Sequence, residues 1–246
     1  MTETVIIDNG FTLAGFTSGN EGIWSRNAPL DPPTSDYVRL SEKLGIQLSR
    51  FLRPYQAGGD RVETVTSEQV GSGVIKDSDF KKVDGLVTAE KGIVLSIIAA
   101  DCVPVYLIDN RAEVAGLLHC GRKSAAGALL HNAIERMKEL GAVPSEIQVT
   151  IGPHICADCY EVGEEVRAEY AKAFAPKELE SIFELQGESL HLSLRSAIRL
   201  KAAAEGISSQ NITAINCCTC CHKEYYSYRR GDRGKQNLAY IMMKSL

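Results

Sequence analysis

Apolar residues occur in short blocks through the middle of the chain, and the block lengths predict buried strands. Residues 92–99, 103–108 and 114–118 are rich in apolar side chains, many of them β-branched, and are bounded by polar residues. Runs of this kind are typical of strands that are buried on both faces of a sheet. Segment 147–151 alternates between polar and apolar residues and predicts another strand. Three more strands are predicted towards the C-terminus, at 212–216, 225–229 and 238–242.

Helical periodicity separates these strands. Leu130, Ile134 and Met137 recur on one face of residues 124–140, and Gly141 follows as a stop signal. Similar spacing predicts helices at 162–174 and 193–205, and a helix that contains Tyr37, Leu40 and Leu44 and ends at Gly45. Strands and helices interleave without a linker, a repeat or a low-complexity segment. We therefore expect a mixed chain of helices and strands that folds as one domain over residues 1–246.

Composition and charge narrow the classes of partner. The 246 residues carry 27 Lys and Arg against 31 Asp and Glu, for a net charge of -4. This balance argues against binding to nucleic acid or to an anionic membrane. The most apolar stretch, 92–108, is interrupted by Asp101 and Pro104 and does not predict a membrane span. The N-terminus has no basic segment followed by a long apolar one, so we expect no secretory signal and a cytoplasmic location.

Eight cysteines are the unusual feature of the composition. In a reducing cytosol they are expected to stay as thiols, so metal binding, catalysis or core packing must account for them. Four of them lie within 217–221, followed by His222, which suggests zinc. Structural zinc, however, usually takes two separated pairs of ligands, and adjacent cysteines on a strand point to opposite faces. Cys156 and Cys159 would complete a site only if the fold brought them close. The pattern therefore favours ordinary packing with some redox sensitivity.

Two other polar clusters interrupt the apolar scaffold. Cys102 follows Asp101 at the junction of two predicted buried strands, where a thiol is either a nucleophile, a metal ligand or a packed core residue. His119 ends the next predicted strand, and Arg122 and Lys123 follow at the start of a helix. A helix N-terminus with two cations indicates either an anion site for phosphate or carboxylate, or a solvated basic turn.

An ordered set of short motifs carries a family resemblance. Reading along the chain, these are Asp84-Gly85-Leu86-Val87-Thr88, Ala100-Asp101-Cys102-Val103-Pro104-Val105, His119-Cys120-Gly121-Arg122, Ile151-Gly152-Pro153, Cys159-Tyr160-Glu161-Val162-Gly163-Glu164-Glu165-Val166 and Tyr225-Tyr226-Ser227-Tyr228-Arg229-Arg230. The set resembles the YfiH family, also called the laccase-domain or polyphenol oxidase family. The similarity runs from about Arg53 to the C-terminus and is weaker before it.

This resemblance implies a fold, an activity and a metal. The fold is a single α+β domain of mixed β-sheet layers flanked by helices, grouped with cysteine-hydrolase-like folds. The activity is that of a purine nucleoside phosphorylase, which cleaves nucleosides such as adenosine and inosine with phosphate; some members are described as deaminating adenosine. The family site is a His–Cys–His cluster found with zinc. Its cysteine matches Cys102 and its second histidine matches His119, whereas Gly58 stands where the first histidine belongs.

The expected site follows from these matches. Cys102 and His119 are the predicted catalytic residues and zinc ligands, with His119 as general acid or base and Cys102 as ligand or polarising thiolate. Arg122 and Lys123 are expected to hold phosphate, and Arg229 to position the substrate. A third zinc ligand would have to replace the missing histidine, and His154 and Cys120 are candidates. The expected partners are a purine nucleoside and phosphate, with no nucleic acid, membrane or obligate protein partner.

Two other functions remain open. Gly58 motivates the first, a family member that has lost catalysis and acts as a nucleoside-binding or scaffold protein. The second is copper-dependent polyphenol oxidation, as in a laccase. Type-1 copper takes two histidines and a cysteine with an axial ligand, and this chain lacks the matching histidine. Copper is therefore the less favoured metal.

Overall fold

Two stacked β-sheets organise the fold, which a computed structural model describes over residues 4–24 and 35–245. The strands are β1 (Thr4–Asp8), β2 (Thr12–Phe16), β3 (Phe51–Leu52), β4 (Val62–Thr64), β5 (Gly85–Thr88), β6 (Val94–Ala99), β7 (Val103–Asp109), β8 (Val114–Cys120), β9 (Gln148–Ile151), β10 (Glu161–Val162), β11 (Phe183–Gln186), β12 (Ser189–Leu192), β13 (Ile212–Ala214) and β14 (Asn237–Met243). The helices are α1 (Ser35–Leu44), α2 (Arg122–Ala126), α3 (Leu129–Glu139), α4 (Glu164–Tyr170), α5 (Pro176–Ile182) and α6 (Leu194–Ala204).

The two large sheets differ in strand order but share one apolar interface. One has the order β1-β2-β14-β6-β3 and the other β13-β9-β7-β8-β5-β4, while β10, β12 and β11 form a separate small sheet. Leu95 and Ile97 of β6 pack with Tyr106 of β7 and Leu117 of β8 in the core between the sheets. All residues of β6, β7 and β8 are buried. The prediction that these central runs are strands buried on both faces is confirmed.

Helices cover the outer faces of both sheets. Leu107 of β7 packs with Ile134 and Met137 of α3 in a core that also contains residues of α4, α5 and α6. On the opposite side, Leu40 of α1 packs with Ile98 of β6. The result is four layers, helix, sheet, sheet and helix, which confirms the expected α+β class of mixed sheets flanked by helices. Over residues 4–24 and 35–245, no helix has the length and apolar character needed to cross a membrane.

The helix predicted at 124–140 is two helices, α2 and α3, separated at Gly127. A Cβ on Gly127 would lie 2.6 Å from the carboxylate of Asp60. Asn132, in the first turns of α3, donates from its side chain to the Asp60 carbonyl at 2.7 Å. Both helices pack on the same sheet, so the apolar periodicity continues across the break at Gly127. The periodicity alone therefore predicts one continuous helix.

The segment 225–229, predicted as a strand, is instead a turn. The Ser227 N–H donates to Asp232 at 3.0 Å, and the Arg229 N–H donates to Asp101 at 2.7 Å. The two carboxylates thus accept hydrogen bonds from backbone N–H groups that, in a strand, would bond to the carbonyls of a neighbouring strand. The alternation of tyrosine and serine resembles a strand pattern, but the strand prediction for this segment is wrong.

Candidate active site

Strand pairing brings Cys102 and His119 together. Cys102 lies in the turn between β6 and β7, and β7 pairs antiparallel with β8, with Pro104 opposite His119. His119 and Cys102 line the same cavity, and the Cys102 sulfur is close enough to the imidazole to raise its pKa. His119 is 4% exposed, and Cys102 is half-buried. The two residues predicted as catalytic are therefore neighbours at one end of the six-stranded sheet.

A buried carboxylate completes this arrangement. Asp84, which directly precedes β5, lies with its Oδ1 atom 2.9 Å from His119 Nδ1. Its two oxygens also accept the backbone N–H groups of Ala57, Gly58 and Gly59, at 3.1, 2.9 and 2.8 Å. Burial opposes ionisation of this group, but the hydrogen bonds from His119 and the glycine N–H groups outweigh it and lower the pKa of Asp84. Asp84 is thus an anion held in place by a cradle of backbone donors.

This carboxylate sets the charge and orientation of His119. Because Nδ1 is bonded to Asp84, Nε2 is the ring nitrogen left for Cys102 or a substrate. Burial alone would lower the pKa of His119, but the negative charges of Cys102 and Asp84 and their hydrogen bonds raise it to about 9. The imidazole is therefore protonated at neutral pH. The imidazolium, with the carboxylate on one side and the thiol on the other, is a proton donor whose ring orientation is fixed.

The residue before Cys102 has an unusual backbone conformation. Asp101 has φ 81°, in the left-handed region, which costs a non-glycine residue about 1–2 kcal/mol. Its carboxylate accepts hydrogen bonds from Thr219 Oγ1 at 2.7 Å, Ser227 Oγ at 3.0 Å and the Arg229 N–H at 2.7 Å. These bonds offset the strain and tie the turn that carries Cys102 to the two C-terminal loops.

A cavity of about 480 Å³ opens at Cys102 and His119. Three cations, Arg122, Arg229 and Lys235, line it together with Asp101 and Asp232. Both carboxylates are engaged with protein donors, Asp101 as described and Asp232 with the Ser227 N–H and Arg230. The three cations outnumber the two carboxylates in the lining, so the cavity favours an anion. Its volume is in the range of small-molecule binding sites.

Aromatic rings line another part of the same cavity. Tyr160 and Tyr228 both contribute to its wall, and Tyr228 is 64% exposed. The Arg229 guanidinium lies 5.1 Å from the centre of the Tyr160 ring and donates to the Glu161 carbonyl at 3.0 Å. Arg122 donates to Glu169 at 2.5 Å. These contacts hold the two arginines at the rim, and the rings offer flat surfaces to a planar ligand.

Four of the five predicted site residues line the cavity: Cys102, His119, Arg122 and Arg229. Lys123 is exposed, and it is not among the lining residues. Four other residues at the site have no role predicted from the sequence: Asp84, Asp101, Tyr160 and Lys235. Asp84 stands immediately before an apolar run. An acidic residue at such a position is either exposed or held by hydrogen bonds, so the sequence alone could have marked Asp84 as a candidate. The other three are brought in by contacts distant along the chain.

A zinc site with three protein ligands does not fit this cavity. Cys102 and His119 supply two donors, and over residues 4–24 and 35–245 no third cysteine, histidine or carboxylate converges with them into a metal-binding group. His154 Nδ1 donates to the Gly152 carbonyl oxygen at 2.7 Å, and burial lowers the pKa of His154 to about 4. Cys120 packs in the apolar core beneath the helices. Neither of these proposed substitutes lines the cavity, and catalytic zinc usually needs three protein ligands.

A second group of cysteines corrects the expectation of ordinary packing at 217–221. Cys156, Cys159, Cys218 and Cys221 place their sulfur atoms within 4.8 Å of one another. We call them the tetracysteine cluster. The strands β9 and β13 are parallel neighbours, so the loops that follow them leave the same sheet edge, and a bridge between His154 and Cys218 extends the pairing. The cluster can hold a metal ion, and long-range strand pairing builds it.

Comparison with known proteins gives a consistent result. A sequence profile of the family described as multi-copper polyphenol oxidoreductase laccase matches residues 9–244. A purine nucleoside phosphorylase of Deinococcus radiodurans is 35% identical over 83% of this chain and 74% of its own length. Adenosine deaminase RL5, from an unknown prokaryotic organism, is 34% identical over 78% of this chain and 74% of its own length.

A solved structure extends the likeness to the fold. The hypothetical protein YfiH of Bacillus licheniformis superposes with a TM-score of 0.83 at 27% sequence identity, over 95% of this chain and 93% of that one. The stacked sheets and flanking helices are therefore shared along almost the whole of both chains.

Proposed function

The chain belongs to the multi-copper polyphenol oxidoreductase laccase family, the YfiH family of the sequence resemblance, and on that premise we propose that it is a purine nucleoside phosphorylase. The observation that carries the proposal is the pairing of a proton donor with a cationic cavity. His119, held by Asp84, is protonated at neutral pH, and it lines the same cavity as Arg122 and Arg229. The similarity to proteins named purine nucleoside phosphorylase supports it.

Phosphorolysis requires a proton at the leaving base. In this reaction the bond from the ribose C1′ to the purine nitrogen breaks, and a phosphate oxygen forms a new bond to C1′. The departing base carries the bonding electrons and takes a proton from a ring nitrogen of His119. Asp84 keeps that proton on the imidazole before the reaction and fixes the direction in which it is delivered.

The cavity supplies the other two requirements. Arg229 and Arg122 attract phosphate and hold it beside the sugar, which replaces a collision in solution by a positioned attack. Tyr160 and Tyr228 provide faces on which a purine stacks. The polarisable sulfur of Cys102 lines the same cavity, and we assign it to stabilising the cationic character that develops at the ribose. Each step uses residues of this chain, and none requires a metal at Cys102 and His119.

Adenosine deamination is a second activity for the same cavity. Its support is the 34% identity to a protein named adenosine deaminase. The protonated His119 is equally suited to a departing amino group, which leaves as ammonia while water attacks the purine ring. The two reactions differ in their demand for phosphate, and one assay separates them.

The remaining alternatives have less support in this chain. A nucleoside-binding or scaffold protein is motivated by Gly58, but the Asp84 carboxylate, which accepts the Gly58 N–H, also holds His119 without a histidine at position 58. Copper oxidation needs a second histidine beside Cys102 and His119, and the described residues do not provide one. We also propose a cytoplasmic location, in keeping with the free thiols of all eight cysteines and with nucleoside and phosphate as substrates.

The test is incubation of the purified protein with adenosine or inosine, with and without phosphate, followed by chromatography. The proposal expects free base and ribose 1-phosphate only when phosphate is present. The variants Cys102→Ala and His119→Gln should lose activity, whereas His131→Gln, a surface histidine paired with Glu205, should keep it. Formation of inosine from adenosine without phosphate would instead establish the deaminase. Tight nucleoside binding without any product would establish the binding protein.

A further inference from the structure

The tetracysteine cluster has the spacing of a metal site assembled from two turns. Cys156 and Cys159 are separated by two residues, and so are Cys218 and Cys221. Backbone hydrogen bonds close both turns, from the Cys159 N–H to the Cys156 carbonyl at 3.2 Å and from the His222 N–H to the Cys218 carbonyl at 3.0 Å. Two such C-x₂-C turns facing each other are the usual construction of a four-cysteine zinc site.

The sulfur separations match one tetrahedral ion. A zinc–sulfur bond of about 2.3 Å gives about 3.8 Å between sulfurs at the corners of a tetrahedron. In this structure all four sulfurs lie within 4.8 Å of one another, and the Cys159 and Cys221 sulfurs are 3.4 Å apart. An iron–sulfur cluster would insert several irons and sulfides between its thiolates and spread them further. The geometry indicates a single ion.

Neighbouring groups support a charged site. The Cys156 N–H donates to the Cys218 sulfur at 3.2 Å, a bond that stabilises a thiolate. Arg230 binds the backbone of the second turn, donating from Nη1 to the carbonyls of Thr219 and Cys220, both at 2.9 Å. The guanidinium therefore fixes the backbone of the second turn. Cys221 is exposed, which gives an ion a route from solvent.

We propose that the tetracysteine cluster binds one zinc ion in a closed tetrahedral site and that this ion fastens the loop after β13 to the loop after β9. All four positions are filled by protein sulfur, so no position is left for a substrate, and the role is structural. Zinc is assigned because four thiolates in a tetrahedral arrangement are the donor set and geometry typical of a structural zinc site.

The two loops joined by the ion also form part of the cavity wall. Thr219, between the two cysteines of the second turn, is fully buried and donates to Asp101, the residue before Cys102. Tyr160 follows Cys159 and lines the cavity below Arg229. The ion thus holds two parts of the cavity wall through residues adjacent to its ligands. The site is distinct from Cys102 and His119, and its occupancy does not depend on the proposed phosphorylase activity.

Elemental analysis is the first test, carried out on a Cys102→Ala/His119→Gln variant purified without chelator, so that neither residue contributes a ligand. The proposal expects about one zinc per chain. The further change Cys159→Ser/Cys221→Ser should remove it, while Cys217→Ser and Cys220→Ser, which alter neighbouring cysteines outside the cluster, should retain it. Stoichiometric iron, or zinc that survives the cluster substitutions, would overturn the proposal.

A test on the unmodified chain avoids the risk that these variants fail to fold. Alkylation read by mass spectrometry should show zinc protecting Cys156, Cys159, Cys218 and Cys221 but not Cys217 or Cys220. Substitution by cobalt(II) should give the visible and near-ultraviolet bands of a tetrathiolate site. Removing the metal should lower the unfolding midpoint by about 5–10 °C, reversibly on adding zinc. A disulfide between Cys159 and Cys221 in protein prepared under reducing conditions, or no protection by zinc, would contradict the proposal.

Discussion

Asp84 offers a sharp test of the site because its carboxylate accepts four hydrogen bonds within the protein. In Asp84→Asn the side chain keeps one oxygen, so one pair of donors loses its acceptor: either Ala57 and Gly59, or Gly58 and His119. Each buried donor left without a partner costs about 1–3 kcal/mol, so the free energy of unfolding should fall by about 2–6 kcal/mol. For a chain of this size that lowers the unfolding midpoint by about 5–20 °C.

The same substitution should change catalysis in a specific way. Loss of the Asp84 charge lowers the pKa of His119 and removes the bond that fixes its ring, so kcat should fall by about 10²–10⁴-fold, with a smaller effect on the KM for nucleoside. In the wild type the rate should decrease as pH rises through about 9, where His119 loses its proton. In Asp84→Asn this alkaline limb should move to lower pH.

A matched control separates this positioning role from simple destabilisation. Asp109 is also buried and accepts the N–H groups of Arg111, Ala112 and Val143, at the far end of β7. Asp109→Asn should lower stability by about 1–3 kcal/mol and leave kcat and the pH profile unchanged. A wild-type kcat and alkaline limb in Asp84→Asn, or a shift of both in Asp109→Asn, would show that Asp84 does not position His119.

Three further predictions follow from the same contacts. The pKa of His119 is higher in the folded than in the unfolded chain, so its contribution is fully present below about pH 6.5 and lost as pH rises through about 9; denaturant unfolding should show the stability advantage of wild type over His119→Gln shrinking across that interval, and a constant advantage would contradict it. Gly58→His should lower the free energy of unfolding by about 1–2 kcal/mol because φ at this position is 74°, although a Cβ there meets no atom within 4 Å. In a background without the tetracysteine cluster, the added histidine should raise the zinc content at Cys102. Unchanged zinc content would contradict the assigned position of the missing ligand. Thr219→Val removes a hydrogen bond to the buried Asp101 carboxylate, so the free energy of unfolding should fall by about 1.5–3 kcal/mol. Asp101 also binds the Arg229 N–H, so the loop that carries Arg229 should loosen and the KM for phosphate should rise. An unchanged KM would show that this loop does not contribute to phosphate binding.

The central strands and most helices were predictable because their signals are local. The runs that became β6, β7 and β8 are apolar on both faces, and helices α1 and α6 end within one residue of their predicted ends, Gly45 and Glu205. The small sheet of β10, β11 and β12 was missed, since its strands are only two to four residues long and too short for a periodic pattern. The break at Gly127 depends on Asp60, far away along the chain, and no local pattern announces it.

The site residues, too, were predictable where the signal is local and not where it depends on distant contacts. Cys102 and His119 were found because family motifs and strand ends mark them, and the structure places them together. The role of Asp84 depends on a backbone cradle from residues 57–59, which strand pairing alone brings near. The tetracysteine cluster was misjudged for a related reason. Cys217 and Cys220 obscure the C-x₂-C spacing, and the partner pair joins only through the parallel pairing of β9 with β13.

In the proposed reaction His119 protonates the purine base as phosphate attacks the sugar, so inosine cleavage should depend on both phosphate and His119. We expect hypoxanthine and ribose 1-phosphate in equal amounts from the wild type, none without phosphate, and a kcat at least about 10²-fold lower for His119→Gln at an unchanged fold. Cleavage at an undiminished rate by His119→Gln, or no cleavage by the wild type at saturating phosphate, would contradict it.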